Sequence, residues 1–283
     1  MSSRLGRLGV VGLGLLGGSV ALAARERGLA EEVRAVDPHV ADGRGVELLP
    51  LPELAAWADL LVLAVPLAAL EEVVRGLAPH LRADCLVTDV ASLKRPLARL
   101  AQVHLVAPER CVGAHPMAGS HLSGLAAASA GLFEGAPCFI APAGSADPAA
   151  VDRVEEFWQC LGAFTVRRTP EEHDALCAVL SHAPHLIAFA FARGLPDGEA
   201  LRLAGPGLRD FIRIARADSD LWCDILLANR DRVAEEVARF RVNLDGMADA
   251  LARGDRKALT EAIEESRFRS ADLDPVDPTQ GKA

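Results

Sequence analysis

The chain has 283 residues, of which 51% are hydrophobic, and a formal net charge of −9 from 30 basic and 39 acidic side chains. That length exceeds one ordinary core of about 100–150 residues and suits two domains. The acidic balance provides no basic stripe for nucleic acid or anionic lipid, although a few local arginines or histidines would still bind an anion. We therefore predict a compact soluble protein without a nucleic-acid partner.

The cysteines and the first apolar segment bear on where the protein works. The six cysteines are widely spaced and form no Cys-x-x-Cys pair, which is typical of free thiols in a reducing cytoplasm. Residues 8–24 carry no charge, but they include five glycines and lack a small-residue cleavage site. We expect a cytoplasmic protein that has no signal peptide in this segment and does not cross a membrane.

The first half of the chain alternates apolar, strand-like runs with helix-forming segments. Strands are predicted over 7–11, 32–36, 59–65, 85–90, 138–141 and 164–168, with helices over 15–27 and near 151–161. This alternation predicts a parallel sheet. Ligands bind such sheets beyond the carboxyl ends of the strands. Asp37, Pro66, Ser92 and His115 each follow an apolar run, so we expect them to share one site at that edge.

The pattern changes after Pro170, where the strand-like runs stop. Helices are predicted over 171–193, 200–216, 218–253 and 255–267, with glycines and prolines between several of them. We predict a first domain over residues 1–169 and an all-helical second domain over 170–283. The leucine-rich faces of the helices exceed what a four-helix unit packed on itself needs, so we expect a second subunit to cover them in a homodimer.

The turn between the first strand and the first helix has the sequence Gly12-x-Gly14-x-x-Gly17. The first glycine permits a tight turn, the second lets a pyrophosphate approach the backbone, and the third lets the helix close on the strand. The pyrophosphate then rests at the helix N-terminus. The predicted fold class is therefore α/β, with an N-terminal Rossmann-type dinucleotide-binding domain followed by the helical domain.

The acid that follows this loop predicts which dinucleotide binds. Asp37 lies about 20 residues beyond the last glycine, where an acid hydrogen-bonds the adenosine ribose and repels a 2′-phosphate. The expected cofactor is NAD rather than NADP, although Arg34 and His39 would soften the repulsion, and a simple turn carboxylate is the alternative for Asp37. We expect the cofactor to contact Gly12, Gly14, Leu15, Leu16, Gly17, Asp37, Val65 and Pro66.

A histidine in the first domain is the candidate proton acceptor. His115 precedes Pro116, which favours an extended backbone, and small residues follow it. Histidine suits a general base because much of it is neutral near pH 7; a structural histidine is the alternative. Ser92 ends the preceding strand, where it either caps the next helix, as its residue type favours, or orients His115.

The second domain contributes two histidines and an arginine. His182 and His185 lie on one face of a helix that Pro184 is expected to kink. They either line a pocket or bind metal, but we find no nearby cluster of further ligands and predict no metal. Arg213 is suited to bind a carboxylate bidentately, and a surface pair with Asp210 is its alternative.

Taken together, these segments resemble the prephenate and arogenate dehydrogenases, the NAD-dependent dehydrogenases of tyrosine biosynthesis. The resemblance covers nearly the whole chain. The order of the matching segments is as diagnostic as their content. They are Gly12–Ser19, Asp89–Lys94, His115–Ser120, Leu132–Pro137, Ser181–His185 and Arg209–Ala215.

The resemblance implies a nucleotide domain, a helical dimerisation domain and an oxidative decarboxylation carried out between them. His115 would accept the proton of the substrate's ring hydroxyl while hydride leaves the same carbon for NAD. Ser92 would orient His115 and the hydroxyl, and Arg213 would bind a substrate carboxylate. The other residues implied to bind the substrate are Ser120, Ser181, His182 and His185.

The resemblance leaves the substrate open between prephenate and arogenate. Many relatives carry glutamate where this chain has His121, and losing that acid weakens a contact with the ammonium group of arogenate, which favours prephenate. A 3-hydroxyacid dehydrogenase or imine-type reductase is a rival, but it would normally use a catalytic lysine, and the second domain offers only Lys257 and Lys282. A non-enzymatic NAD sensor would have no use for His115 or Arg213.

Overall fold

A five-stranded parallel sheet forms the first half of the molecule, in a computed structural model that describes residues 5–119, 122–196 and 198–271. The strand order is β3-β2-β1-β4-β5. The strands are β1 Leu5–Val11, β2 Ala30–Val36, β3 Glu47–Leu48, β4 Leu60–Leu63 and β5 Leu86–Asp89. The helices that follow them are α1 Leu15–Glu26, α2 Leu51–Trp57, α3 Leu70–Leu77 and α4 Arg95–His104. The predicted parallel sheet is thus confirmed.

Both faces of this sheet are covered, which is why its central strands are apolar throughout. All four residues of β4 and all four of β5 are buried. On one face, Val10 and Val62 pack with α1 and with Trp158. On the other face, Leu61 and Leu63 pack with α2, α3 and α4. The two apolar layers hold the carboxyl edge of the sheet in place.

The prediction that His115 follows a strand of this same sheet is wrong. His115 lies inside β6, Val112–Pro116, which pairs antiparallel with β7, Pro137–Pro142. A parallel pairing with β8, Phe164–Arg167, completes a second, three-stranded sheet. A single parallel bridge between Val87 and Cys111 links β6 to β5. Hydrophobic runs predict strands but do not encode their direction, so the antiparallel pair was not foreseen.

Beyond β8, all regular structure in the described residues is helical, as predicted. The helices are α5 Pro148–Cys160 between β7 and β8, then α6 Pro170–Cys177, α7 Ala183–Arg193, α8 Glu199–Arg202, α9 Pro206–Ile212, α10 Ser219–Ala228, α11 Arg230–Ala252 and α12 Arg256–Ser270. Thr169 and Glu172 form a capping box that starts α6. The long predicted helices are therefore interrupted more often than the sequence pattern indicated.

The segment predicted as one kinked helix over 171–193 contains a π-helical turn. Residues Ala178–His182 form this turn between α6 and α7, and Pro184 lies in the first turn of α7. The extra residue per turn re-aims the side chains on either side of it, as π-bulges at functional sites do. By length and composition the whole stretch Pro170–Arg193 could cross a bilayer. It carries the buried polar residues His173, Asp174 and His182, however, whose partners lie in other parts of the protein.

The chain divides by its contacts into residues 1–232 and residues 233–283. In the second unit, Asp255 caps α12 by accepting a hydrogen bond from the backbone amide of Ala258. Large apolar side chains of this unit are exposed, among them Val242, Leu251 and Phe268. The predicted boundary between residues 169 and 170 remains a prediction.

Candidate active site

The glycine loop has the geometry of a pyrophosphate cradle. Gly12 has φ +95°, and a Cβ there would lie 2.4 Å from the carbonyl oxygen of Ala64. A Cβ on Gly17 would lie 1.9 Å from the carbonyl oxygen of Gly12, whereas one on Gly14 would meet nothing within 4 Å. The outer glycines are thus required by the protein's own packing, and the middle one leaves room for a ligand at the start of α1.

Asp37 holds this loop from the end of β2. Its Oδ2 accepts a hydrogen bond of 2.7 Å from the backbone amide of Leu13, and its Oδ1 accepts one of 2.8 Å from the amide of His39. The carboxylate therefore does act as a turn carboxylate, the alternative that the sequence left open. Asp37 also follows β2 at the carboxyl edge of the sheet, where open parallel sheets bind their ligands, and its contact with an adenosine ribose remains a prediction.

The other predicted cofactor residues lie around the same loop. Leu15 and Leu16 open α1 and are half-buried. Val65 and Pro66 follow β4, and Pro66 precedes a short 3₁₀ turn over Leu67–Ala69. These positions border the carboxyl ends of β1 and β4, where an open parallel sheet binds its ligands.

A buried ion pair between Lys94 and Asp89 fixes the backbone next to His115. Lys94 Nζ lies 2.5 Å from each carboxylate oxygen of Asp89 and donates to the carbonyl oxygen of Ala114 at 2.5 Å. Asp89 Oδ1 also accepts a hydrogen bond of 2.9 Å from the amide of Ala114. The backbone amide and carbonyl of Ala114, the residue before His115, are therefore both hydrogen-bonded. These bonds fix the backbone from which the His115 side chain projects.

A second histidine and an aspartate complete the surroundings of His115. His115 Nδ1 lies 3.0 Å from His173 Nε2, and His173 Nδ1 lies 2.8 Å from Asp174 Oδ1. His173 and Asp174 are buried, whereas the His115 ring is partly exposed. Burial, followed by the positive charge of Lys94, holds the pKa of His115 well below 6.5. At neutral pH the ring is uncharged and able to accept a proton.

Ser92 does not cap the following helix, so the cap reading is wrong. Helix α4 begins at Arg95, and the backbone amides of Lys94 and Arg95 donate to the carboxylate of Asp174 at 2.8 and 3.1 Å. The carboxylate of Asp174, in α6, thus caps the N-terminus of α4 in place of an N-cap side chain. Ser92 is half-buried in the loop after β5, and in the described part of the chain its hydroxyl makes no hydrogen bond.

The same polar network reaches His182. Arg95 Nη2 donates to Asn229 Oδ1 at 2.6 Å, and Asn229 Nδ2 donates to the carbonyl oxygen of Asp174 at 2.8 Å. Asn229 Nδ2 also lies 3.0 Å from His182 Nδ1. His182 is buried, which lowers its pKa to about 4. His182 is thus held inside this network, and its predicted place in the substrate pocket remains a prediction.

His185, one turn further on, is half-buried. Its Nδ1 donates to the carbonyl oxygen of Ser181 at 2.8 Å, and its ring stacks on Trp222 with centroids 3.6 Å apart and planes at 20°. Burial is the main cause that lowers its pKa, and the nearby charge of Arg213 lowers it further. Arg213 begins a 3₁₀ turn and is exposed. The structure thus brings Ser181, His185 and Arg213 together; Ser120 and His121 lie outside the described residues.

The donor atoms of three side chains converge at His115. Donor atoms of His115, His173 and Cys177 all lie within 4.8 Å of one another. The sequence pattern around His182 and His185 did not indicate this cluster. In the structure these donors are joined by hydrogen bonds, with Cys177 Sγ 3.4 Å from His173 Nε2.

Comparison with known proteins agrees with this fold. Family models of prephenate dehydrogenase match residues 20–167 with the nucleotide-binding domain and residues 169–265 with the dimerization domain. The chain belongs to the prephenate dehydrogenase family. Prephenate dehydrogenase of Bacillus subtilis (strain 168) is 32% identical over 269 residues, which cover 88% of this chain and 71% of that protein.

Two solved structures of this kind superpose on the chain. Prephenate dehydrogenase of Aquifex aeolicus, in complex with hydroxyphenyl propionate and NAD⁺, has a TM-score of 0.87 at 26% identity and covers 97% of this chain and 100% of that one. Arogenate dehydrogenase of Synechocystis has a TM-score of 0.84 at 26% identity, covering 95% and 100%. The predicted family and the predicted order, a nucleotide-binding domain followed by a helical domain, are both confirmed.

In this member of the prephenate dehydrogenase family, the sequence pattern did not reveal the buried polar residues around His115. His173, Asp174, Lys94 and Asn229 are all buried polar side chains, and each is a partner of a residue distant in sequence. The available signal was the His173-Asp174 pair, which directly follows the helix-capping Glu172. Because buried polar groups need partners, such a pair in an apolar stretch indicates a hydrogen-bond partner elsewhere in the fold.

Proposed function

We propose that this protein catalyses the NAD-dependent oxidative decarboxylation of prephenate to 4-hydroxyphenylpyruvate. The observation that carries the proposal is the neutral, partly exposed His115 held at the cofactor edge, in a chain whose family is that of the prephenate dehydrogenases. The glycine cradle and Asp37 suit NAD, and Asp37 disfavours the 2′-phosphate of NADP. Bound NAD supplies the acceptor for the hydride.

The proposed work of the chain's own residues is proton transfer and positioning. His115 takes the proton of the ring hydroxyl as the hydride leaves the same carbon. The ring carboxylate then departs as carbon dioxide, its bonding electrons complete the aromatic ring, and the proton returns to the phenol oxygen. No net proton is released, and aromatisation makes the step effectively irreversible.

The remaining roles follow from position and chemistry. Ser92, whose hydroxyl has no other partner in the described residues, contacts the substrate hydroxyl near His115. Arg213 binds a substrate carboxylate bidentately, with His185, Ser181 and Ser120 around the rest of the substrate. His182 acts through its buried contact with Asn229. Gly12, Gly14, Leu15, Leu16, Gly17, Asp37, Val65 and Pro66 hold the cofactor.

The protein is proposed to work as a homodimer in the cytoplasm. The match to a dimerization domain and the exposed apolar side chains of α11 and α12 support a homodimer. The proposed boundary between residues 169 and 170 lies within two residues of the junction between the family matches, which cover residues 20–167 and 169–265. The free cysteines fit a reducing cytoplasm.

The test is NADH formation by the purified protein with prephenate and with arogenate, each offered NAD or NADP. Turnover of prephenate with NAD is the expected result. A preference for arogenate would keep the mechanism and reassign the substrate, since arogenate carries an ammonium where prephenate carries a keto group. Activity with neither substrate would overturn the proposal.

A further inference from the structure

Three side chains form a hydrogen-bonded line from the helical half of the molecule to the proposed base: Asp174, His173 and His115. We propose that His173 and Asp174 are positioning residues that keep the proton of neutral His115 on Nδ1, so that Nε2 is the atom that accepts the substrate proton. We call this line of Asp174, His173 and His115 the relay. Its relevance to catalysis rests on the proposed function, but the protonation pattern itself can be measured without any substrate.

The hydrogen-bonded line begins at Asp174, whose carboxylate oxygens accept hydrogen bonds and donate none. Its Oδ1 accepts from the amide of Lys94 and from His173, and its Oδ2 accepts from the amide and Nε of Arg95 at 3.1 and 3.2 Å. Burial raises the pKa of Asp174, but these hydrogen bonds outweigh it and the net pKa is lowered. An ionised carboxylate has no proton to give, so His173 Nδ1 must carry one.

The tautomer of His173 follows from that contact. Burial is the largest influence on its pKa, which is lowered, so the ring is neutral and holds a single proton. With Nδ1 protonated, its Nε2 is an acceptor. A second hydrogen-bond donor beside His173 Nε2 supports the assignment of this nitrogen as an acceptor. The thiol of Cys177 lies 3.4 Å from the same nitrogen, and burial raises the pKa of that thiol to about 12, so it keeps its proton.

His115 is the last member of the line. Because His173 Nε2 accepts, the hydrogen bond of 3.0 Å must be donated by His115 Nδ1. A neutral His115 then has a free lone pair on Nε2. When Nε2 takes a proton, the positive charge forms in a site that disfavours it, and the negative charge of Asp174 stabilises it through His173. The groups that face His115 are Lys94 and Asp89 below it, Phe139 and Cys138 on β7, and His173, Cys177 and His182 on the helical side.

Substitutions at residue 173 separate this role from a merely structural one. His173→Gln keeps a carbonyl oxygen that can accept from His115 Nδ1, whereas His173→Leu does not. We expect kcat to fall about 100-fold or more in His173→Leu, with the Gln variant recovering at least about ten-fold of that loss. The KM for NAD should be unchanged in both. Phe139→Leu changes the packing against the His173 ring, whose centroid lies 5.1 Å from that of Phe139, but removes no hydrogen bond of the line, so its kcat should stay near that of the unaltered protein.

The pH profile and the ring nitrogens supply readouts that packing alone would not move. Loss of the acceptor makes protonated His115 less stable, so the acidic limb of kcat/KM should shift to lower pH in His173→Leu and remain in place in Phe139→Leu. Nitrogen NMR of the full chain with ¹⁵N-labelled histidine should show His115 protonated on Nδ1. In His173→Leu the proton should spread over both ring nitrogens.

Distinct results would overturn the relay and the proposed function. A His115 proton on Nε2 in the unaltered protein would refute the relay whatever the enzyme turns over. Equal loss of kcat in His173→Leu, His173→Gln and Phe139→Leu would also refute it, because it would indicate general disturbance of the site. A protein that shows Nδ1 protonation but turns over neither prephenate nor arogenate would keep the relay and lose the proposed function. Asp174→Asn is a poorer test, since Asp174 also caps α4.

Discussion

The guanidinium of Arg95 and the carboxylate of Asp231 form a two-pronged ion pair, in which Nη1 and Nη2 each lie 2.7 Å from one carboxylate oxygen. The same guanidinium contacts Asp174 and Asn229. Arg95 therefore joins the start of α4, in the nucleotide-binding half, to α6 and to the turn between α10 and α11. Hydrogen bonding to Asp231 is the main cause that raises its pKa, so the charge is permanent.

Replacing Arg95 with Met should lower the free energy of unfolding by about 2–3 kcal/mol, because the buried carboxylate of Asp174 loses a charged partner. Arg167→Met is the matched control. Arg167 also contacts two carboxylates, those of Asp152 and Glu155, but it is 48% exposed, so we expect about 1 kcal/mol or less. Urea unfolding of both variants measures the difference, and equal losses would show that Arg95 has no special role.

Replacing His115 with Asn should reduce kcat about 10²–10⁴-fold, the usual contribution of a general base, while NAD still binds. The reason is that the amide has no basic lone pair, whereas the glycine loop is untouched. Initial rates together with fluorescence titration of NADH measure the two effects. His80→Asn is the control, because His80 is exposed at the end of a short 3₁₀ turn. Near-normal turnover by His115→Asn would remove His115 as the base.

The sequence predicted the parts of this site that depend on local spacing. The glycine fingerprint, Asp37, His115 and Arg213 could be singled out as candidates because their spacing or neighbours follow from short-range backbone requirements. His173 was missed because it meets His115 across 58 residues, a contact that only the packing of α6 against β6 and β7 creates. Lys94 was read as part of a motif and not as a buried ion pair, since charged residues are usually exposed. The antiparallel direction of β6 and β7 was likewise invisible to hydropathy.

The two glycines Gly14 and Gly17 should respond differently to alanine. In Gly14→Ala the new methyl group meets no protein atom within 4 Å, and φ is −72°, so the fold should persist while the KM for NAD rises about ten-fold or more. In Gly17→Ala the methyl group lies 1.9 Å from a carbonyl oxygen, so we expect a loss of stability of about 1–3 kcal/mol or more. Thermal unfolding and NAD titration measure the two properties. A Gly14→Ala protein with unchanged NAD affinity would contradict the cradle.

Replacing Arg213 with Ala should chiefly raise the KM for prephenate, by about 10–100-fold, because a bidentate contact with a carboxylate is lost. Its exposed position means that the fold should not suffer. Arg209→Ala is a suitable control, since Arg209 lies one helical turn earlier and its Nε donates to the carbonyl oxygen of Ala204 at 3.1 Å. Steady-state kinetics at saturating NAD decide the matter, and an unchanged KM in Arg213→Ala would mean that the carboxylate is bound elsewhere.

The buried histidines should make the protein sensitive to mild acid. The pKa values of His115, His173 and His182 are all lowered from 6.5, chiefly by burial, to about 4 in the case of His182. Below pH 6.5 the unfolded chain therefore binds protons that the folded chain refuses, so the free energy of unfolding decreases as the pH falls from 6.5 towards 4. At about 1.4 kcal/mol per pKa unit, His182 alone accounts for at most about 3 kcal/mol.

Urea midpoints between about pH 8 and pH 5 test this expectation, in a range where most carboxylates remain ionised. Stability should be flat above pH 6.5 and fall below it. In His182→Leu the slope below pH 6.5 should be smaller than in the unaltered protein, even though the variant is less stable at every pH because Asn229 loses a partner. Replacing the exposed His80 with Gln should leave the slope unchanged. An identical slope in His182→Leu would show that the charge of His182 is not what the folded interior excludes.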